Sequence, residues 1–448
     1  MTIKMCRLPD VRQLTGTLAA CARRHGVPGA QLVVHRGGTV AAEFGELEHG
    51  TGRRVSADTA FPVGSVTKAV TATAVLALVA DGDLELDEPV GLHVPGLRGL
   101  DADPTVRQLL SHTSGLWCGP GPEQVAGMTP QRYIAETCGS DALVLPPGTG
   151  FSYSNVGYVL AGQVIASVTG MSWADAVAAI VLGPLGITAD LIGVPGAPAS
   201  GRPVATGHSV HAVAGRTRPV HQSLTAAEAA AGALALSARD LVALGRLHID
   251  GGLPGVLPPD HAALLRAVEP AAVPFGLADG WGLGLAMFRG APDDWFGHDG
   301  NADGTACYLR IDPAGGWVVA LTTNANTGQG LWQDVQDCLR RLGVPLPGRP
   351  EPPAALPVRP APECAGSFAN GDVEYLVTVA DGDQLRLSVD GDAPDEMIVC
   401  GDLTFYLLDQ LTGKWSLGGR FVRDLRSGVV DRIQIGGRVG GRRITARI

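Results

Sequence analysis

With 448 residues, 45% of them hydrophobic and 17% charged, the chain carries more apolar material than one ordinary core needs and reads as a globular protein of two domains. Its net charge of −10, with neither a basic run nor a basic face, argues against nucleic acid and anionic membrane as partners. Eight cysteines stand apart with no Cys-x-x-Cys pair (Cys6, Cys21, Cys118, Cys138, Cys307, Cys338, Cys364 and Cys400), which fits reduced, buried thiols.

The N-terminal stretch suggests a short amphipathic helix containing arginines and lacks the unbroken apolar core and cleavage site of a signal peptide, so a cytoplasmic location is expected. No apolar run reads as long enough to span a bilayer. Residues 31–44 alternate around Arg36-Gly37-Gly38 as a β-hairpin would. An Ala-rich apolar helix is predicted to follow Pro62 and Gly64. A short helix at 106–110 and a turn at 112–115 come next, then an extended segment at 151–155 leading into a helix at 156–168.

A Pro/Gly/Ser-rich stretch at 193–222 reads as loop. It carries His208, His211 and His221, but no carboxylate or thiol lies near enough in sequence to complete a metal site, and none is expected. The Ala/Leu pattern at 225–249 reads as helical. Three strands are predicted between Trp295 and Asn324, followed by a helix at 330–342. Strands from both ends of this region with helices between them imply an α+β domain: one mixed sheet covered by helices. The proline-rich stretch at 347–363 reads as a stiff linker. Beyond it, from 364, short alternating segments separated by Asp/Gly turns describe a small all-β barrel. The domain limits are thus 1–346, 347–363 and 364–448.

Ser65 and Lys68 form Ser-x-x-Lys at the start of the apolar helix. One helical turn separates them, so the amine can reach the hydroxyl, and the helix N-terminus favours a developing oxyanion. Lysine occurs only at Lys4, Lys68 and Lys414 among 34 basic residues. Arginine cannot release its proton, so a lysine in this place points to a base that must be neutral. The same residues also fit a capping serine and a solvated lysine.

Two further clusters bear on the choice. Tyr153 and Asn155 form Tyr-x-Asn, with side chains on one side of an extended segment. A phenol held toward its ionised form beside the lysine can shuttle the serine proton, and Asn155 can bind a substrate amide and accept from Lys68. His298-Asp299-Gly300 lies in a predicted strand, where Gly300 lets a substrate backbone approach.

Ser65-x-x-Lys68, Tyr153-x-Asn155 and His298-x-Gly300, in this order, resemble the class C β-lactamase and serine penicillin-binding protein family. LLSHTSGL at 109–116 and GWGLGLA at 280–286 also look like its connecting sequence. The resemblance implies a β-lactamase/transpeptidase-like domain over about 10–343, followed by a lipocalin-like barrel. Ser65 would be its nucleophile, Lys68 and Tyr153 the proton-transfer partners, and Asn155 a substrate contact. The oxyanion hole would be the amides of Ser65 and Asn301, and no cofactor is required.

Members acting on cell-wall peptides usually have Lys-Thr-Gly where this chain has His298-Asp299-Gly300. An anion there should repel a substrate carboxylate and attract an amine. Within the family the chain looks like the stand-alone penicillin-binding-protein-type thioesterases. These take a linear peptidyl thioester with a D-residue at its acyl end, delivered by a carrier protein in nonribosomal peptide biosynthesis, and release a macrocycle. A cytoplasmic esterase, a D-aminopeptidase and a module that stays acylated are the alternatives. Whether the barrel is a lid, a docking surface or a stabiliser stays open, as does a cleft contact from Arg443 or Arg447 on its last strand.

Overall fold

The computed structural model describes residues 8–94, 97, 99–197, 199–211, 214–348, 361–380, 384–409 and 414–443. Helix α1 (Val11–Arg24) opens the chain on a capping box in which Asp10 and Gln13 satisfy each other's backbone amides. The hairpin of β1 (Gly29–His35) and β2 (Thr39–Gly45) follows. The remaining sheet strands come from the far end of the domain: β3 (Gly280–Trp281), β4 (Ala286–Phe288), β5 (Trp295–Ala302), β6 (Thr305–Asp312) and β7 (Trp317–Thr323). Their order is β2-β1-β7-β6-β5-β4-β3, and every pair is antiparallel.

Helix α1 and a C-terminal helix at Gly328–Arg341 cover one face with a core that includes Leu18, Leu32, Trp317, Leu321 and Trp332. The other face carries the larger core, at whose centre lies α2 (Thr67–Asp81). This helix is apolar on all sides and buried continuously from Thr67 to Leu78, which is why its sequence shows no polar stripe. The span Gly64–Asp81 is 18 residues long and apolar enough to cross a bilayer, against the reading that no run is. It is 78% buried within the protein, as a core helix is. Helix α3 (Asn155–Thr169) packs beside it, capped by the Ser154 hydroxyl and ended by Gly170 in the left-handed region.

Two segments differ from the sequence reading. The region read as loop contains a hairpin, Gly207–His211 with Arg216–Val220. The run at 225–249 is not one helix. Short turns at Ala226–Glu228 and Ala229–Gly232 give way to a strand, Leu234–Leu236, before Ser237 caps a helix at Ala238–Arg246. That strand pairs with Phe61–Pro62 and Asp190–Leu191, so tertiary pairing overrides the helical propensity of the alanines.

The barrel is closed and antiparallel: β8 (Gly366–Asn370), β9 (Val373–Val379), β10 (Leu385–Val389), β11 (Asp395–Val399), β12 (Thr404–Asp409), β13 (Lys414–Arg423), β14 (Val430–Ile435) and β15 (Arg438–Arg442). Phe368, Phe405, Phe421 and Ile433 fill it. The fold is therefore the expected one, a β-lactamase-like α+β domain followed by a lipocalin-like barrel. Most of the proline-rich stretch, 349–360, lies outside the described residues.

The barrel seats on the α+β domain by polar contacts. The side-chain carbonyl of Asn370 accepts from the Cys118 amide at 2.7 Å, and the Gly437 carbonyl accepts from the Tyr153 amide at 2.9 Å. Gln434 Nε2 donates to the carbonyls of Phe151 and Val273 at 3.3 and 3.1 Å. The barrel thereby pins the segment that carries Tyr153.

Candidate active site

Ser65 sits in a 3₁₀ turn, Gly64–Val66, that precedes α2. Gly64 has φ +50°, and a Cβ there would collide with the Asn301 carbonyl, so only glycine lets strand β5 lie against this turn. Gly300 has the same task. A side chain on it would strike the Val63 carbonyl and the Val66 amide. The space that sequence reasoning gave to a substrate backbone is thus filled by the serine turn, and Gly300 supports the site from behind.

Lys68 Nζ lies 3.1 Å from Ser65 Oγ and 2.8 Å from the Ala231 carbonyl. Its side chain is wholly buried, and burial together with the positive charge of Arg438 lowers its pKa from 10.5 to about 7, against the opposing pull of Glu228. Asn155, expected to accept from the lysine, is not among these partners. It is the first residue of α3, its amide donating to the Cys118 carbonyl, and its side chain lines the cleft.

Tyr153 lines the same cavity as Ser65, and its ring lies 5.1 Å from Lys68 Nζ and 4.2 Å from the His112 ring. Burial raises its pKa to about 12, more than the neighbouring Ser65 and Arg438 lower it. The phenol therefore stays protonated at neutral pH, which corrects the expectation of a phenol drawn toward phenolate: desolvation outweighs the neighbouring charges. His112 is neutral for the same reason and accepts the Ser154 amide at Nδ1, 3.1 Å away.

His298 is buried, and its pKa falls to about 4, chiefly by desolvation. It is neutral, and its Nδ1 donates to the Asp299 carbonyl at 2.6 Å, which leaves Nε2 as a buried acceptor with no partner among the described residues.

Asp299 does not present a free anion. Its carboxylate is bound in a fork by Arg310, with one contact at 3.1 Å, and the Arg310 guanidinium stacks 3.7 Å from the Phe288 ring centroid. The expected attraction for an amine at this point is thereby neutralised. Because Arg310 is 5% exposed, Asp299→Asn should strand a buried cation and lower unfolding free energy by about 3 kcal/mol in denaturant titrations. Adding Arg310→Met to that variant should recover most of the loss, and an Asp299→Asn protein as stable as wild type would refute the pairing.

Two cavities meet at Ser65, Asn155 and Asn301. One, of about 270 Å³, is lined by Tyr153, Trp281, His298, Asp299 and the barrel residues Gly436 and Arg438. The Arg438 guanidinium lies 5.3 Å from the Tyr153 ring centroid. The barrel arginine at the cleft is neither of the two left open from the sequence. Arg443 is exposed and lies 3.9 Å from Glu374, and Arg447 is outside the described residues. Arg438 follows the Gly436-Gly437 turn and opens β15, and that turn was the available signal.

The second cavity, of about 320 Å³, is lined by Pro120, Pro122, Gln222, Leu224, Glu228 and Asp303 among others. Two of the three loop histidines serve structure, and His221 is exposed. His208 is buried with Nδ1 against the Asn324 carbonyl and Nε2 accepting from the His49 amide, and His211 Nδ1 accepts from the Ala214 amide.

A serine beside a buried lysine that gives up its proton near neutral pH and a protonated phenol, on this fold, defines a class. The Beta-lactamase family model matches residues 12–335, and the chain belongs to that family of serine hydrolases and acyltransferases. Penicillin-binding protein 4 of Amycolatopsis lactamdurans is 33% identical over 369 residues, 78% of this chain and 95% of the relative. The solved structure of SurE superposes with a TM-score of 0.85 at 37% identity, covering 96% of this chain and 98% of SurE. A further SurE structure, with D-Leu, gives 0.83 and 36% over 96% of this chain and 99% of that one. A D-stereospecific amidohydrolase from Streptomyces sp. gives 0.59 and 28% over 72% of this chain and 98% of its own.

Proposed function

We propose that this chain is a trans-acting peptidyl cyclase. It takes a linear peptidyl thioester with a D-residue at its acyl end onto Ser65 and releases the peptide when the peptide's own amine attacks. The observation that carries this reading is the likeness to the D-Leu-containing SurE structure over 96% of the chain, barrel included, because the barrel forms one wall of the cleft through Gly436 and Arg438.

Neutral Lys68 keeps one N–H on the Ala231 carbonyl and turns its lone pair toward Ser65 Oγ, from which it takes the proton as the oxygen attacks the thioester carbonyl. The amides of Ser65 and Asn301 receive the oxyanion. The Tyr153 phenol donates to the departing thiolate and is reprotonated through Lys68, so it acts as a neutral relay. Arg438 grips carbonyl oxygens of the donor peptide with its planar fork. A carrier protein delivers the thioester, and the chain acts in the cytoplasm on nonribosomal peptides.

The test is product analysis with peptidyl thioesters that differ only in the chirality of the last residue, run beside Ser65→Ala. The D-terminated substrate should give a product lighter than the linear acid by one water, at least tenfold faster than its L-terminated twin, and Ser65→Ala should form no acyl adduct. If D-terminated thioesters are neither cyclised nor hydrolysed while simple esters are cleaved rapidly, the proposal fails, and a cytoplasmic esterase is left.

A further inference from the structure

The two cavities beside Ser65 differ in charge. The one walled by the barrel holds Arg438, and its carboxylate Asp299 is already paired with Arg310. The other is lined by two carboxylates, Glu228 and Asp303, and by no lysine, arginine or histidine among the described residues, and Asp303 Oδ2 already accepts from the Ser223 amide and hydroxyl at 2.6 Å. Glu228 is 6% exposed, and its Oε2 accepts a single side-chain hydrogen bond, from Thr225 Oγ1 at 3.2 Å.

Gln222 lines the same space. Gln222 donates Nε2 to the Asp303 carbonyl at 2.6 Å, which fixes its amide and leaves Oε1 buried without a partner among the described residues. Two acceptors with spare capacity and no donor charge describe a pocket for a group rich in N–H.

From this asymmetry we infer that the Glu228 cavity is the acceptor subsite: it receives the primary ammonium of the attacking peptide, with Glu228 as its anion and Gln222 Oε1 as its second acceptor. The inference rests on the cyclase reading above and says from which side the amine arrives.

Aminolysis needs the ammonium to lose one proton first, and Glu228, the less engaged of the two carboxylates on that side, takes it. Burial raises the carboxyl of Glu228 above its usual range, which suits it to hold a proton in transit. The free amine then attacks the ester carbonyl. The C–N bond forms, the C–Oγ bond to Ser65 breaks, and the second amine proton passes through Lys68 and Tyr153 to Ser65 Oγ. Glu228 returns its proton to solvent, and the amide leaves.

The experiment uses the full chain, an N-acetylated peptidyl N-acetylcysteamine thioester ending in D-Leu, and L-isoleucinamide as external amine. Blocking the peptide's own amine leaves two fates for the acyl-enzyme, amide or acid, and their ratio is read by mass spectrometry across amine concentrations. Because that ratio belongs to each acyl-enzyme, it does not depend on how much of a variant is folded. Glu228→Gln should lower it at least tenfold, with Glu228→Asp between Gln and wild type. A ratio within twofold of wild type in Glu228→Gln would overturn the assignment of Glu228 and leave the cyclase reading standing. Acid alone from the wild-type enzyme at every amine concentration would remove both.

Discussion

Replacing Lys68 by Met is expected to slow acylation of Ser65 on the order of 10³-fold while leaving the fold no less stable at pH 6. The two effects have one cause. In the folded protein the amine is shut away from water, and its pKa drops from 10.5 to about 7. The unfolded chain therefore binds more protons than the folded one between these values, and stability rises as pH climbs through that window. Below about pH 7 the whole penalty is present, roughly 5 kcal/mol by the size of the drop.

Methionine has no charge to bury and so avoids this penalty. It leaves the Ala231 carbonyl without the lysine, which costs about 1–3 kcal/mol, less than is relieved. The stability advantage of the variant should shrink between pH 7 and 10.5, as the penalty on the wild-type lysine fades. Denaturant unfolding at about pH 6, 8.5 and 10.5, with burst measurements of acylation, checks both. A variant that acylates within tenfold of wild type would end the case for Lys68 as the base.

What the sequence reveals of this site is what lies close along the chain. Ser65 and Lys68 are one turn apart, and that geometry survives into the structure because a glycine allows the turn and an apolar helix continues it. The barrel is legible because each of its strands alternates within itself. The seven-stranded sheet is legible because its strands stand at both ends of the domain, although every pair proves antiparallel where the sequence suggested a mixed sheet.

The illegible part is set by pairing across long separations. Glu228 lies in an alanine-rich run whose local pattern is helical, and only the strand pairing of 234–236 with 61–62 turns it toward the cleft wall. Arg438 and Gly436 belong to another domain, so their approach to Tyr153 depends on how the barrel docks, through Asn370, Gln434 and Gly437.

For Asp299 a signal exists, but on the neighbouring strand. In the antiparallel register Asp299 faces Tyr308, and Arg310, two residues on, shares that face and reaches the carboxylate diagonally. Charge on one strand cannot be assigned to a ligand before its cross-strand neighbours are counted. The phenol of Tyr153 teaches the same lesson about burial, since its neighbours alone suggest ionisation and desolvation reverses it.

Arg438 is the residue through which the barrel acts on the chemistry, and Arg438→Ala is expected to lower kcat/KM about ten- to a hundredfold and to move the ascending limb of the pH profile to higher pH. After burial, the positive charge of Arg438 is the strongest influence lowering the pKa of Lys68. Acylation needs that lysine neutral, so activity rises with pH through its pKa. Removing the cation lets Lys68 hold its proton more tightly, and the limb moves to the alkaline side.

Arg438→Lys separates field from grip. It keeps the charge and should leave the limb in place, but it lacks the planar fork for donor carbonyls and should lose part of kcat/KM. Glu228 pulls Lys68 the other way, so Glu228→Gln should move the limb toward acid. Opposite displacements from residues on opposite sides of one serine would be hard to obtain from misfolding, which has no sign. A limb that stays fixed in Arg438→Ala would mean that the barrel's charge does not reach the lysine and that the barrel contributes only a wall.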